Sequence, residues 1–290
     1  MKFRGKITDI GYIQHFTNVV GTIAKLVKSC ILRITEDKVF FILSERVGDT
    51  GAQVWCELSQ SHFFNEYAME GVSEEANEIY LEVSPDLLLR SLRTANTAKW
   101  LKIKLTKKHT PCLTFEIDLP SGTLHQRLVV HDVPVTVVAR KHWPDFAEPV
   151  MPKFDVSIAL PQLRLLKSVV DKMKNLSNYV ALSANCNGEM KLSVETDMVA
   201  VNTHFQGLHN PSWCRDGGDG GLSSQSGDLD RDPQEFATSR VHIRRFAQFL
   251  NSQQVNPDKV VCNIVHHRMA HFFLMHDDVT LQYFLPVVSR

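Results

Sequence analysis

Apolar and polar residues alternate from Lys2 to Ile7, and then the apolar period changes: Ile10, Ile13, Phe16, Val20 and Ile23 recur at helical spacing. A strand followed by an amphipathic helix is therefore predicted. Short alternating runs come next, "CILRIT", "KVFFILSER" and "QVWCELSQ", separated by polar breaks at 35–38 and 48–51, which is the pattern of an antiparallel meander. "EIYLEVS" leads into a second helix, "SPDLLLRSLRTANTA". Its start is marked by Ser84 as N-cap, Pro85 at the first helical position and Asp86 in the first turn. The strands "WLKIKLT", "CLTFEIDL" and "RLVVHDVPVTVV" follow.

The order then restarts. After a connector, "ARKHWPDFAEPVMPKF", whose three prolines oppose regular structure, come a strand "DVSIAL" and a helix "LRLLKSVVDKMKN". Sliding the chain by 150 residues places Val19 and Val20 on Val169 and Val170, Ile23 on Met173, Leu26 on Leu176, Cys30 on Val180, Leu32 on Leu182 and Ile42 on Leu192. One ungapped register of apolar matches points to an internal duplication. The second half also closes as the first does, with "TSRVHI", a helix "RRFAQFLNSQQ" and three more strands. The expected organisation is a domain over 1–138, a connector over 139–154 and a second domain over 155–290, with two helices in each domain. Gly207–Glu235 is rich in Gly, Ser and Asp, and a disordered inserted loop is expected over 207–236. It lacks GxxxxGK[ST] and any strand-to-helix context, so it is not a phosphate loop.

Length and composition change this picture little. The chain has 290 residues, room for about two domains. The first ten residues lack the apolar core of a signal peptide, and no apolar run approaches membrane-spanning length, so a soluble intracellular protein is expected. Six scattered cysteines without a CxxC pair read as reduced, packed thiols.

Charge changes it more. Lys+Arg and Asp+Glu balance at 32 each, yet the four helical windows do not balance. Residues 9–28 hold Lys25 and Lys28 against Asp9, and 84–99 hold Arg90, Arg93 and Lys99 against Asp86. Residues 160–175 hold Arg164, Lys167, Lys172 and Lys174 against Asp171, and 243–256 hold Arg244 and Arg245 with no acid. The windows thus sum to +8 and the remainder to −8. Glu, as good a helix former as Lys, is absent from all four. If the helices share one face, that face is positive and suits the phosphate backbone of a duplex without regard to sequence. No aromatic repeats on the polar sides, as stacking on a single strand would need. The plain alternative is four solvated helix surfaces.

The best catalytic-looking cluster is "VHHRMAHFF", with His266, His267 and His271, and three histidines can bind zinc. On a hairpin strand, however, adjacent His266 and His267 point to opposite faces. No HExxH and no GxSxG supports a hydrolase. No catalytic residue, metal or cofactor is expected.

A duplicated, sheet-rich domain with two basic helices resembles the plan of the DNA sliding clamps. "MKFRGKI", "FFNEYAMEGV", "NEIYLEV", "HDVPVTVV", "KSVVDKMKNLSN" and "QQVNPDKVVCNIV…LQYFLP" are similar to the Hus-type subunit of the checkpoint clamp, the nine-one-one complex. That family is related to proliferating-cell nuclear antigen. The resemblance runs from Met1 to the C-terminus, and the Gly207–Glu235 segment departs from it in length and composition. It implies an α+β DNA-clamp (processivity-factor) fold of two duplicated domains, each with two helices packed on antiparallel sheets. It further implies a non-catalytic subunit that joins two paralogous subunits in a heterotrimer. Such a ring is placed on duplex DNA by an ATP-driven clamp loader and serves repair enzymes and checkpoint factors in the nucleus, with a cytoplasmic pool.

Mapped onto this chain, the DNA-facing residues would be Lys25, Lys28, Arg90, Arg93, Arg164, Lys167, Lys174, Arg244 and Arg245. The subunit edges would be Val133, Val135 and Val137 in one domain and Val199, Val201, Thr203 and Phe205 in the other. Trp143 and Phe146 of the connector would anchor partner peptides, unless Trp143 merely pins the connector to the sheet. A homotrimeric replication-type clamp and a metal-dependent hydrolase using His266, His267 and His271 are the competing expectations.

Overall fold

Strand β1 (Lys2–Ile7) turns Phe3, Gly5 and Ile7 inward, as its alternation requires. The chain then enters helix α1 (Ile10–Leu26), whose N-cap Asp9 accepts hydrogen bonds through Oδ1 from the backbone N–H of Gly11 (2.7 Å) and Tyr12 (3.2 Å). The computed structural model describes residues 1–43, 51–121, 127–211, 232–254, 257, 259–276 and 278–288. After α1 come β2 (Cys30–Ile34), β3 (Lys38–Leu43), β4 (Gln53–Ser59), a one-turn helix α2 (Gln60–Phe63), β5 (Glu66–Glu70) and β6 (Ile79–Val83). Helix α3 (Pro85–Arg93) precedes β7 (Trp100–Lys107), β8 (Pro111–Leu119), β9 (Arg127–Pro134) and β10 (Thr136–Val137).

The second half holds β11 (Val156–Ala159), α4 (Leu163–Met173), β12 (Tyr179–Ala184), β13 (Met190–Glu195), β14 (Ala200–Phe205) and β15 (Ala237–His242). It ends with α5 (Ile243–Ser252), β16 (Lys259–Val265), β17 (Met269–His276) and β18 (Val279–Pro286).

Among the described residues three antiparallel sheets result. Five strands run in the order β5-β1-β7-β8-β9 and four in the order β14-β13-β12-β15. The largest, β10-β6-β2-β3-β4-β18-β17-β16-β11, draws strands from both halves and is joined where β4 pairs with β18, Leu58 opposite Val279 through Gln53 opposite Phe284. One main core fills the space between the sheets and the helices, including Phe41, Phe115, Phe246, Phe249 and Phe272. The helices form one layer: α1 packs against both α3 and α5, and α5 against α4.

Several sequence expectations are adjusted here. Ser84 occupies the N-cap of α3, but its hydroxyl makes no capping bond; its carbonyl accepts from Leu87 and Leu88 instead. A one-turn helix is too short to show a period, and α2 was legible only as the end of a strand. The run Arg127–Val138 splits at Pro134, β9 staying in the five-stranded sheet while β10 crosses to β6.

The duplication register slips by one residue. Leu32 pairs with Phe41 while Leu182 pairs with Leu192, so Phe41, not Ile42, corresponds to Leu192. Leu26 is buried but Leu176 is 45% exposed, because α4 ends at Met173. The segment expected as a loop from residue 207 is anchored at its start: Leu208 donates to Gly188 O (2.9 Å) and Ala159 to His209 O (2.8 Å). Residues 212–231 lie outside the described residues.

Candidate functional site

The helix layer carries the cations that the charge count singled out. Lys25, Arg90, Arg93, Arg164, Lys167 and Arg244 are exposed on it. Lys28 is exposed too, but α1 ends at Leu26, so Lys28 sits in the turn toward β2. Lys174 caps α4 and is tied to Asp171 one turn back (2.6 Å). Arg245 is half-buried and donates to Gln248 Oε1 (3.1 Å).

Ion pairing differs along the sheets. Six strand cations of the first half meet carboxylates, Lys2 with Glu70, Arg4 and Lys6 with Glu66, Arg33 with Glu78, Lys38 with Glu57 and Lys104 with Glu116. Lys102, Lys107, Arg127, Lys191, Arg240 and Lys259 have no such partner among the described residues. Of the nine helix-layer candidates, only Lys174 has such a partner among the described residues. Exposed pairs contribute little to stability, but they cancel local charge. The helix layer, with eleven basic residues in its windows against three acids, projects a positive field that carboxylates leave largely uncompensated.

Among the described residues the three sheets end in β5 and β9, β10 and β11, and β14 and β15, and one such edge in each half bears on the predicted subunit contacts. In the first half this is β9, whose Leu128 and Val130 are each 49% exposed. The residues singled out there, Val133 and Val135, are buried in the chain's own core, and Val137 belongs to β10, already paired with Leu81 of β6. The β9 edge thus overlaps the expected run at Val133 and extends back to Arg127. In the second half the edge is β14, which contains Val201, Thr203 and Phe205; Val199 stands just before it. Val201 and Phe205 lean on the core, while Ala200, Asn202 and His204 face out. An unpaired row of backbone N–H and C=O groups is a template for a further strand.

The connector begins as a 3-10 turn over Arg140–Phe146. Trp143 stacks on Tyr80 (4.5 Å, 23°) and donates through Nε1 to Val138 O (3.1 Å), while Phe146 is buried against Ile31, Phe40, Trp55 and Phe284. Both aromatics therefore fasten the connector to the outer face of the large sheet; neither is an exposed anchor. Arg33, bidentate to Glu78 and lying over Phe40 and Tyr80, supports the same stack. Beyond it the connector roofs a groove of about 460 Å³, with Trp55, Met269 and Phe284 on its floor and Pro149, Val150 and Pro152 along its rim. Sequence reasoning missed these groove residues, because floor and rim come together only through the β4–β18 junction.

The histidine cluster departs from the hairpin argument. His266 and His267 lie in the turn between β16 and β17; His267 takes φ +54°, and the two rings are neighbours, 3.9 Å apart between centroids. His266 Nδ1 accepts from Thr238 N (3.0 Å). His271, by contrast, is buried within the large sheet, its imidazole pKa held down to about 3 by burial. No group of three or more metal-ligating side chains converges among the described residues. Cys30, Cys56, Cys112, Cys186 and Cys262 are free thiols, and burial pushes Cys262 up to about 12, far from a reactive thiolate. No described helix is long and apolar enough to cross a membrane.

Sheets that run across two halves, with basic helices on one side, define a sliding-clamp fold. The chain superimposes on proliferating cellular nuclear antigen from Entamoeba histolytica with a TM-score of 0.71, at 11% identity over 99% of each chain. For the protein from Thermococcus kodakaraensis the TM-score is 0.66, at 14% identity over 98% of this chain and 99% of that one. Likeness at such identity establishes the fold alone.

The sequence narrows the class: the chain belongs to the Hus1-like protein family, whose family model matches residues 1–289. Checkpoint protein HUS1 of Homo sapiens is 50% identical over 289 residues, covering all of both chains. Checkpoint protein hus1 homolog of Dictyostelium discoideum is 32% identical over 294 residues, again covering all of both, and checkpoint protein hus1 of Schizosaccharomyces pombe is 30% identical over 284 residues, 96% of this chain and 94% of its own. Family and fold agree: the chain is a Hus1-like protein with a sliding-clamp fold.

Proposed function

We propose that the chain is one subunit of a heterotrimeric ring that encircles duplex DNA, with its helix layer toward the bore. Two clamp domains, 1–138 and 155–290, are joined by the connector 139–154, and β9 and β14 each pair with a different paralogous subunit. The observation that supports this reading is the set of exposed helix cations, Lys25, Arg90, Arg93, Arg164, Lys167 and Arg244, none of which meets a carboxylate among the described residues. A bore that holds DNA by enclosure needs a positive lining and no base-reading groups, so affinity for any one sequence is not required. An ATP-driven loader places the ring at damage-associated junctions in the nucleus. Its outer face, including the connector groove, serves checkpoint factors and repair enzymes.

Co-expression with candidate clamp paralogues, followed by mass measurement in solution, tests the assembly. A complex of three different chains in equal amounts is expected. A stable homotrimer of this chain alone would instead favour a replication-type ring, and stoichiometric zinc lost in His271→Ala would favour the hydrolase.

A further inference from the structure

The β4–β18 seam between the halves has a counterpart in the two open edges, because the duplication places β14 where β4 stands and β9 where β18 stands. Phe41 corresponds to Leu192; Phe41 pairs with Cys56 and Leu192 with Thr203, so Cys56 matches Thr203. Strands β9 and β18 each have eight residues and end in proline, and Pro134 lies opposite Cys112 as Pro286 lies opposite Met269. The residues just before these prolines, Val133 and Leu285, are both buried. Arg127 therefore matches Val279, Val129 matches Leu281 and His131 matches Tyr283.

The seam shows what such a joint looks like when it is closed. Its inward pairs are Leu58 with Val279, Cys56 with Leu281 and Val54 with Tyr283, all buried in the main core and none charged. The same register, applied to β14 of one copy laid on β9 of another, sets Phe205 opposite Arg127, Thr203 opposite Val129 and Val201 opposite His131. Strand β14 keeps the character of the seam, since Val201 and Phe205 lean on the core. Strand β9 does not. Arg127 takes the place of a valine, and His131 Nε2 is buried without a hydrogen-bond partner among the described residues.

A strand added to β9 seals both side chains from water. Opposite Phe205, the Arg127 guanidinium gives up hydration for a ring face, which returns only part of the cost. Opposite Val201, the His131 imidazole stays unsatisfied. The β9 edge of one copy thus rejects the β14 edge of the next. It accepts a related strand that brings a carboxylate to Arg127, which a guanidinium grips with two parallel hydrogen bonds, and a hydrogen-bonding side chain to His131. Positions equivalent to Val201 and Phe205 lie on one face of the partner strand, so a single strand can present both groups.

We infer that Arg127 and His131 select the neighbour at the β9 joint. That neighbour is a paralogous clamp subunit whose strand equivalent to β14 carries a carboxylate facing Arg127 and a hydrogen-bonding side chain facing His131; a second copy of this chain is excluded. The selection rests on the ring reading and deepens it.

The full-length chain and its double variant Arg127→Val/His131→Tyr, which copies Val279 and Tyr283 of the seam, are compared by sedimentation velocity. Each is run alone over a range of concentrations and with each of two paralogous clamp chains. Alone, the wild type is expected to stay monomeric, and the double variant to self-associate at least about tenfold more tightly. Adding Phe205→Glu to the double variant should remove that association. With the paralogues, the double variant should bind one about tenfold more weakly and the other as the wild type does. Self-association no tighter than that of the wild type overturns the selection, as does an unchanged or equally reduced affinity for both paralogues. Where the double variant does not fold, judged by its urea midpoint, Arg127→Val alone at the exposed start of β9 is read by the same outcomes. A wild-type homotrimer overturns both the heterotrimer and the selection, whereas a wild type that joins both paralogues and a variant that behaves identically overturn the selection alone.

Discussion

Gln248 of α5 donates its side-chain amide to the main-chain oxygens of Lys25 (2.8 Å) and Leu26 (3.0 Å), so a residue of the second half caps the last turn of a helix in the first. The last carbonyls of a helix have no partner within it. Replacing Gln248 by Ala leaves them to water or unpaired, a cost of about 1 kcal/mol. Urea unfolding is expected to shift to a lower midpoint with unchanged slope, and amide exchange to quicken at the end of α1.

Charge reversal should grade with pairing. Arg164 is exposed and unpaired on α4, whereas Lys174 is held by Asp171. In the assembled ring, Arg164→Glu is expected to weaken retention on duplex DNA more than Lys174→Glu, and the gap should close in high salt as both fields are screened. Equal effects at low salt would count against a bore on this layer.

His271 predicts an acid-sensitive stability. Its folded pKa, about 3, lies below the ordinary histidine value of 6.5. Below pH 6.5 the unfolded chain therefore binds a proton that the folded chain refuses. Stability from this group is complete above pH 6.5 and is lost as pH falls through that value toward 3. Between pH 7 and pH 5 the wild type should lose about 2 kcal/mol more than His271→Phe, read from urea midpoints at the two pH values.

Trp143→Ala should free the connector without unfolding the domains. The variant removes the stack on Tyr80 and the bond to Val138 O. Amide exchange over 140–147 is expected to rise many-fold while the urea midpoint moves by less than about 1 kcal/mol in equivalent stability, since the cores of the sheets are untouched.

The parts of the fold that were legible in the sequence are those governed by local period. The inward positions of α1 and α4, the meander strands and the sign of the helix charges need no tertiary information. What escaped depends on where the chain is broken and what covers it. Nothing local tells that Pro134 ends one sheet and Thr136 begins another, so the run Val133–Val138 spans two sheets, with Val133 and Val135 buried and Val137 exposed on β10. β5, with charges on its outward positions, reads as surface until β1 is seen beside it. His266 and His267 look like strand residues until the left-handed backbone of His267 makes them a turn.

Because β4 and β18 share a six-residue ladder, bending one chain at its waist would shear a run of backbone hydrogen bonds along with the Gln248 cap. If chains join through one strand pair with no shared core behind it, that joint is the elastically softer one. A ring assembled from such pieces would gape at a joint and keep each arc rigid, and any machine that opens it would do its work on β9 or β14 and not on the span between them.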